Sequence, residues 1–169
     1  MLRVICVRTG TKYDKWYEDN LKHMVDTYSG LDYDEFVCID EDLYDDDYGV
    51  FNKLQMFDKY KDGQNIYFDL DVIIKGDCNH FIRKDFTVCH AHWREEFHTP
   101  LNSSIISWAG DASYVTERFH KDEEYCLLYY RRGMDQYLYE HTIPKRYTEE
   151  DGYVSFRTVL DETDAPIYL

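Results

Sequence analysis

Residues 65–74 read Asn-Ile-Tyr-Phe-Asp-Leu-Asp-Val-Ile-Ile, an apolar run broken at alternate positions by two carboxylates. As a strand, the segment turns Asp69 and Asp71 to one side and Phe68, Leu70 and Val72 to the other. So apolar a strand belongs in the middle of a sheet, and the two acids then sit where it ends. Holding two carboxylates together there costs on the order of several kcal/mol of desolvation and repulsion unless a cation compensates them. The pair asks for a metal.

The segments before it alternate in type. Residues 2–7 (LRVICV) are a short β-branched run closed by Arg8-Thr9-Gly10-Thr11, which predicts a buried first strand and its loop. From Asp14 the residues Tyr17, Leu21, Met24 and Tyr28 recur at helical spacing until Gly30, predicting a helix with one buried stripe. Residues 35–39 (EFVCI) predict a second strand. Residues 40–47 carry six acids, Asp40, Glu41, Asp42, Asp45, Asp46 and Asp47, and so dense a charge block is expected to stay in solvent. Phe51, Leu54, Phe57 and Tyr60 predict a second helix, closed by Asp62-Gly63. Strand, helix, strand, helix, strand is the order of an α/β layer with a largely parallel sheet, whose ligands collect beyond the carboxyl ends of the strands. Further along, residues 86–92 and 101–108 predict strands, 114–120 and 135–141 short helices, and 154–156 a last strand.

Length and charge narrow the partners. A chain of 169 residues is expected to form one domain and to bury about 70% of the surface its unfolded form exposes. The net charge of −15, with Lys and Arg scattered, argues against a nucleic-acid partner. It leaves room for a phosphorylated small ligand, because a divalent cation makes an acidic site receptive to a diphosphate. No apolar run reaches the roughly 20 residues a membrane span requires. Five cysteines without CxxC spacing, and no leading signal segment, give the expectation of a reducing, cytoplasmic setting. Aromatic residues make up 17% of the chain, a content that suits core packing and also sugar-handling surfaces.

Four motifs in order carry a resemblance: residues 4–13 (VICVRTGTKY), Lys53-Leu54 followed by Tyr67-Phe68-Asp69-Leu70-Asp71, Leu101-Asn102-Ser103-Ser104, and Gly133-Met134-Asp135-Gln136. Over residues 2–157 the chain resembles a compact GT-A glycosyltransferase, similar to the glycogenin-like and bacterial polysaccharide nucleotide-sugar transferases with a DxD motif. The resemblance implies an α/β single-domain fold with a Rossmann-like mixed central sheet flanked by helices. It implies transfer of a sugar from a nucleotide-sugar donor, UDP-sugar above all, to a saccharide or other hydroxyl acceptor. By the same resemblance Val7, Arg8, Thr9 and Tyr13 would contact the uridine, and Lys53 would meet a phosphate or the base. Asp69 would bind ribose or metal, Asp71 the metal, with Leu70 between them in the donor site. Asn102 and Ser103 would contact the donor sugar. Asp135 and Gln136 would sit beside it as hydroxyl ligands or as the group facing the anomeric carbon. Mn²⁺ or Mg²⁺ suits such a set of hard oxygen ligands around a diphosphate.

The chain also departs from that pattern. Relatives with these motifs commonly end in a segment whose histidine completes the metal site and whose Gly-Lys pair holds the diphosphate, and after about residue 157 no such motif follows here. Asp161, Glu162 or Asp164, or water and phosphate, would then fill the metal's remaining positions, and Arg157 would take over the diphosphate. His90 and His92 would share a strand face, as a zinc pair does, without two further ligands at suitable spacing. Two other functions compete. Phe68-Asp69-Leu70-Asp71-Val72 superficially fits the haloacid-dehalogenase phosphatase signature, in which the first aspartate is a nucleophile, although that motif usually lies on the first strand. A non-catalytic nucleotide-sugar-binding module is the other.

Overall fold

The computed structural model describes residues 1–94, 99–159 and 163–169. At its centre the strand β1 (Leu2–Val7) lies parallel to β2 (Glu35–Ile39) on one side and to β3 (Gln64–Phe68) on the other. The antiparallel β6 (Leu101–Ala109) covers the far edge of β3 and is followed by β5 (Thr87–His90) and β7 (Lys145–Tyr147). The sheet order is β2-β1-β3-β6-β5-β7, and β6 alone runs against the other strands. A smaller sheet combines β4 (Ile73–Ile74), β9 (Ile167–Tyr168) and β8 (Tyr153–Val154) in the order β4-β9-β8.

Period-two alternation sends the central strands' side chains into two cores. Val4, Cys6, Ile66 and Phe68 pack on one face with Leu21, Met24 and Val25 of α1 (Lys15–Tyr28). Ile5 and Tyr67 pack on the other face, with Phe57, Trp108 and Met134. Helix α1 begins as its sequence dictates, with the Asp14 carboxylate capping the Trp16 amide at 2.9 Å. Its buried stripe is shifted from the expected one. Tyr28 is half exposed, and Val25, one turn beyond Leu21, takes its place.

Two expected helices take a tighter form. The apolar spacing of three over residues 51–60 is that of a 3₁₀ turn, and Gly49–Leu54 is one, running into the short α2 (Gln55–Lys59). Residues 113–115 are likewise a 3₁₀ turn ahead of α3 (Glu117–Lys121). The helix α4 (Glu123–Tyr129) has no counterpart in the expectation, whereas α5 (Met134–His141) does. The stretch after residue 157, which reads as an atypical tail, carries β9, with Ile167 fully buried between β4 and β8. Two-residue strands are too short for alternation to reveal them. No described helix is long and apolar enough to cross a membrane.

Phe57 anchors the α2 face of the sheet, fully buried with ring centroids 5.0 Å from Trp108 and 5.6 Å from Phe86. Phe57→Ala is expected to cost about 3–5 kcal/mol in urea-unfolding free energy, through lost contact and the cavity left behind.

Candidate functional site

The strand β3 stops at Phe68, so the two aspartates stand on the turn that follows it and not on the strand itself. Asp69 N–H closes the last rung of the ladder on the Ser104 carbonyl at 2.9 Å, and the Val72 amide returns to the Asp69 carbonyl at 3.2 Å. The facing nevertheless survives the end of the strand. Phe68, Leu70 and Val72 are buried, and both carboxylates reach one cavity of about 260 Å³.

Each acid has its own escort. The Tyr67 hydroxyl, two residues back on the same side, donates to Asp69 Oδ1, and Lys53 Nζ lies 2.6 Å from that same oxygen. The Tyr13 hydroxyl donates to Asp71 Oδ2, with Lys12 Nζ 3.9 Å away. Burial first, then the adjacent carboxylates, push both phenols well above the ordinary tyrosine range, so they remain protonated donors. Asp69 Oδ2 and Asp71 Oδ1 accept no hydrogen bond among the described residues.

Val7, Thr9, Tyr13, Lys53, Asp69, Leu70 and Asp71 all line this cavity. Lys53 is largely buried, not solvated, and its ammonium also meets Ser103 Oγ at 3.3 Å. Ser103 is held in turn by Asp135, whose Oδ1 accepts from the Ser103 amide at 2.8 Å while Oδ2 pairs with Arg94 at 2.7 Å. A continuous polar line thus runs Asp69, Lys53, Ser103, Asp135, Arg94, with both Asp135 oxygens engaged inside the protein. Asn102 turns its side-chain oxygen to the Ser104 amide, beside the irregularity where β5 shifts register on β6. Gln136 bonds within its own neighbourhood, to Glu140 and the Arg132 amide. Arg8 points to Glu18 at 2.9 Å and Asp40 at 3.5 Å and is not in the cavity lining.

All six acids of the block at 40–47 are exposed, as the charge density predicts, and two of them also bond the loop after β1. The Asp42 carboxylate takes the Gly10 amide at 2.7 Å, and Asp46 takes the amide and hydroxyl of Thr11 at 3.1 and 2.7 Å. These two acids satisfy backbone amides of the β1 loop. The fully buried Asn52 pins the block from below, accepting from the Leu43 and Tyr44 amides and donating to the Tyr44 carbonyl and Thr9 Oγ1. At Gly10, with φ +69°, an added Cβ would lie 2.2 Å from Asp46 Oδ1, so only glycine allows this approach. Asp46, Gly49 and Val50 thereby become cavity wall, with Lys12 and Tyr67 as further lining residues the sequence did not mark.

For a metal, the donor set is two carboxylates, each with one oxygen uncommitted among the described residues. Among the described residues no group of three or more His, Cys, Asp or Glu side chains is placed to hold an ion. That fits a hard divalent cation that takes one or two carboxylates and fills its remaining positions with water and phosphate oxygens. Of the expected extra ligands, Asp161 and Glu162 lie outside the described residues, and Asp164 lines a separate depression with Lys75. Arg157 is exposed on the turn after β8 and does not line the cavity. The histidines form no strand pair, since β5 ends at His90 and His92 turns to Glu149 at 3.1 Å.

No family model and no curated relative matches the chain. Solved structures do. A galactosyltransferase, LgtC, in complex with donor and acceptor sugar analogs superposes with a TM-score of 0.66 at 10% identity, over 98% of this chain and 86% of that one. A glycosyltransferase involved in the glycosylation of the major capsid of PBCV-1 gives 0.64 at 14% identity, over 98% and 91%. The fold is that of the GT-A glycosyltransferases. The glycosyltransferase GlyE of Streptococcus pneumoniae TIGR4 matches at 0.63 and 10% identity, and the chain spans only about half of it, 54%. At these identities the likeness establishes the GT-A architecture, and the chemistry rests on the cavity.

Lys53→Met tests the electrostatics of the cavity. It leaves the Asp69 carboxylate without its cation and is expected to cost about 2 kcal/mol of unfolding free energy, of which the double variant Lys53→Met/Asp69→Asn regains a substantial part. Equal stability of Lys53→Met and wild type in urea would show that the pair contributes nothing.

Proposed function

We propose that this chain is a glycosyltransferase that binds a nucleotide-diphospho-sugar, a UDP-sugar in the first instance, in the cavity beyond β1 and β3, and transfers the sugar to a hydroxyl of a saccharide or other acceptor. One observation carries the reading. Asp69 and Asp71 each present an oxygen uncommitted among the described residues to a cavity that also holds the Lys53 ammonium, in a GT-A fold.

Val7, Thr9 and Tyr13 bound the part of the cavity suited to the nucleoside, with Tyr13 offering a ring face and Lys12 stacked on it at 4.4 Å. Asp69 and Asp71 would hold Mn²⁺ or Mg²⁺, which when bound neutralises charge on the diphosphate leaving group. Lys53, tethered between Asp69 and Ser103, is within reach of a diphosphate oxygen and supplies a fixed positive charge there. Ser103 and Asn102 follow along β6 toward the donor sugar. Asp135 acts through Ser103 and Arg94, as a positioning residue, because both of its oxygens are already occupied. Gln136 lies one position further on α5 and enters as the group facing the anomeric carbon only by exchanging its Glu140 hydrogen bond for the sugar.

In transfer, the acceptor hydroxyl oxygen bonds to the anomeric carbon and the bond from that carbon to the diphosphate breaks. The electron pair leaves on UDP, and the hydroxyl proton passes to the leaving group or to water. The same alignment hydrolyses the donor slowly when water takes the acceptor's place.

Calorimetric titration with UDP in the presence of Mn²⁺ tests this reading. Wild type is expected to bind, EDTA and Asp71→Ala each to weaken binding by at least about tenfold, and Asp71→Ala to abolish hydrolysis of UDP-glucose and UDP-galactose. UDP affinity indifferent to both EDTA and Asp71→Ala would sink the site. Phosphate release from monoesters, lost in Asp69→Asn, would indicate a phosphatase, and donor binding without turnover a binding module.

A further inference from the structure

A second cavity, of about 580 Å³, opens on the other side of the ridge formed by residues 46–50. The ridge faces both ways. Asp46 and Gly49 look into the donor cavity, Asp47 and Tyr48 into the second, and Val50 borders both. The opposite wall is the end of α4 and the turn after it, residues 127–133, pressed hard against the ridge. A Cβ at Gly133, whose φ is +72°, would lie 3.0 Å from Val50 Cγ2, so this approach requires glycine. A third depression, around Lys75 and Asp164, shares no lining residue with the donor cavity.

The second cavity has two chemical zones. Its floor is apolar, made by buried Phe51 and by Tyr130, whose hydroxyl is committed to His141, with Leu128 at the rim. Its mouth carries Arg131 and Arg132, consecutive and exposed, in a chain of net charge −15. Arg131 makes no ion pair with any described residue, although Asp47 lines the opposite side of the same space. A planar guanidinium left available beside an apolar floor suits a ring with a C–H face and an anionic substituent, which the guanidinium can bind through two parallel hydrogen bonds.

We infer that this cavity is the acceptor subsite and that the acceptor is a saccharide bearing an anionic group, a carboxylate or a phosphate, held by Arg131. The inference rests on the donor reading above for the word acceptor, and on the cavity alone for the anionic saccharide. Transfer requires the acceptor hydroxyl to come within about 3–3.5 Å of the anomeric carbon, so the acceptor subsite must neighbour the donor cavity, and the second cavity does, sharing Val50 with it as a lining residue. Arg131 then binds the charge at the mouth while Asp47 accepts from sugar hydroxyls on the ridge side. The hydroxyl that reaches past the Val50 edge of the ridge into the donor cavity forms the new bond to the anomeric carbon, UDP departs with the electron pair, and the hydroxyl proton goes to the leaving diphosphate or to water.

The test is a set of binding titrations on the full chain, by NMR chemical-shift perturbation, with methyl β-glucuronide, glucose 6-phosphate, methyl β-glucoside and inorganic phosphate as probes. Wild type is expected to bind the glucuronide or the sugar phosphate at least about tenfold more tightly than the neutral glucoside, and Arg131→Ala and Arg131→Glu to bring that ratio to about one. Whichever anionic sugar binds better tells carboxylate from phosphate. Equal affinity for charged and neutral sugars in wild type, a ratio unmoved by both Arg131 variants, or inorganic phosphate binding as tightly as glucose 6-phosphate would each overturn the assignment. Saturating UDP and Mn²⁺ should leave the glucuronide bound, and mutual displacement would place the anion in the donor cavity instead. A wild type that prefers anionic sugars through Arg131 but binds no UDP would fail the donor reading while keeping the anionic-saccharide site.

Discussion

A carboxylate at the end of a buried strand is a charge taken partly out of water, and the molecule compensates that of Asp69 from within. The Lys53 ammonium at 2.6 Å and the Tyr67 hydroxyl both address one oxygen. Without them the strand end would carry an unpaired charge against two apolar cores. The compensation has reach, because Lys53 also bonds Ser103, and Ser103 is held by Asp135 and Arg94. One electrostatic requirement at the end of β3 thus ties together β3, the 3₁₀ turn at Gly49–Leu54, β6 and α5. Leaving the second oxygen of each aspartate uncommitted suits a site that takes up a cation only together with its ligand.

The acidic block after β2 stays in solvent as its charge density requires and takes on a tertiary role besides. Six acids in eight residues would repel one another in isolation. In the folded chain, Asp42 and Asp46 accept the amides of Gly10 and Thr11, and Asn52 secures the loop's backbone from beneath. The two loops brace each other, and the ridge they support separates the donor cavity from the second one. Because residues of that ridge face both cavities, its placement governs the distance between whatever the two hold.

Much of the central architecture was legible. The order of the first five elements and the facing of Asp69 and Asp71 away from buried Phe68, Leu70 and Val72 are local consequences of spacing, and the β1 loop residues Val7, Thr9 and Tyr13 line the cavity. The misses have physical causes. Asn52, Tyr67 and Asp46 look in sequence like an ordinary turn asparagine, a core tyrosine and one acid among many. Their roles come from partners 8 to 43 residues away for Asn52, two residues away for Tyr67 and 35 for Asp46, brought together by the sheet. Arg8 and Asp135, polar residues in the right motifs, are already engaged by other parts of the chain.

By itself the sequence determined the alternation of strands and helices, the burial of Phe68, Leu70 and Val72 opposite two acids, and the need for something positive near those acids, because these follow from side-chain period and desolvation over short stretches. Tertiary structure decided what meets the acids first, Lys53 and two tyrosine hydroxyls, and brought Asp46 and Asp47 of the acidic block to the edges of two cavities. It also inserted the last strand, Ile167–Tyr168, between β4 and β8. Those outcomes depend on which distant segments the sheet order makes neighbours, and no local pattern of charge or hydrophobicity carries that information.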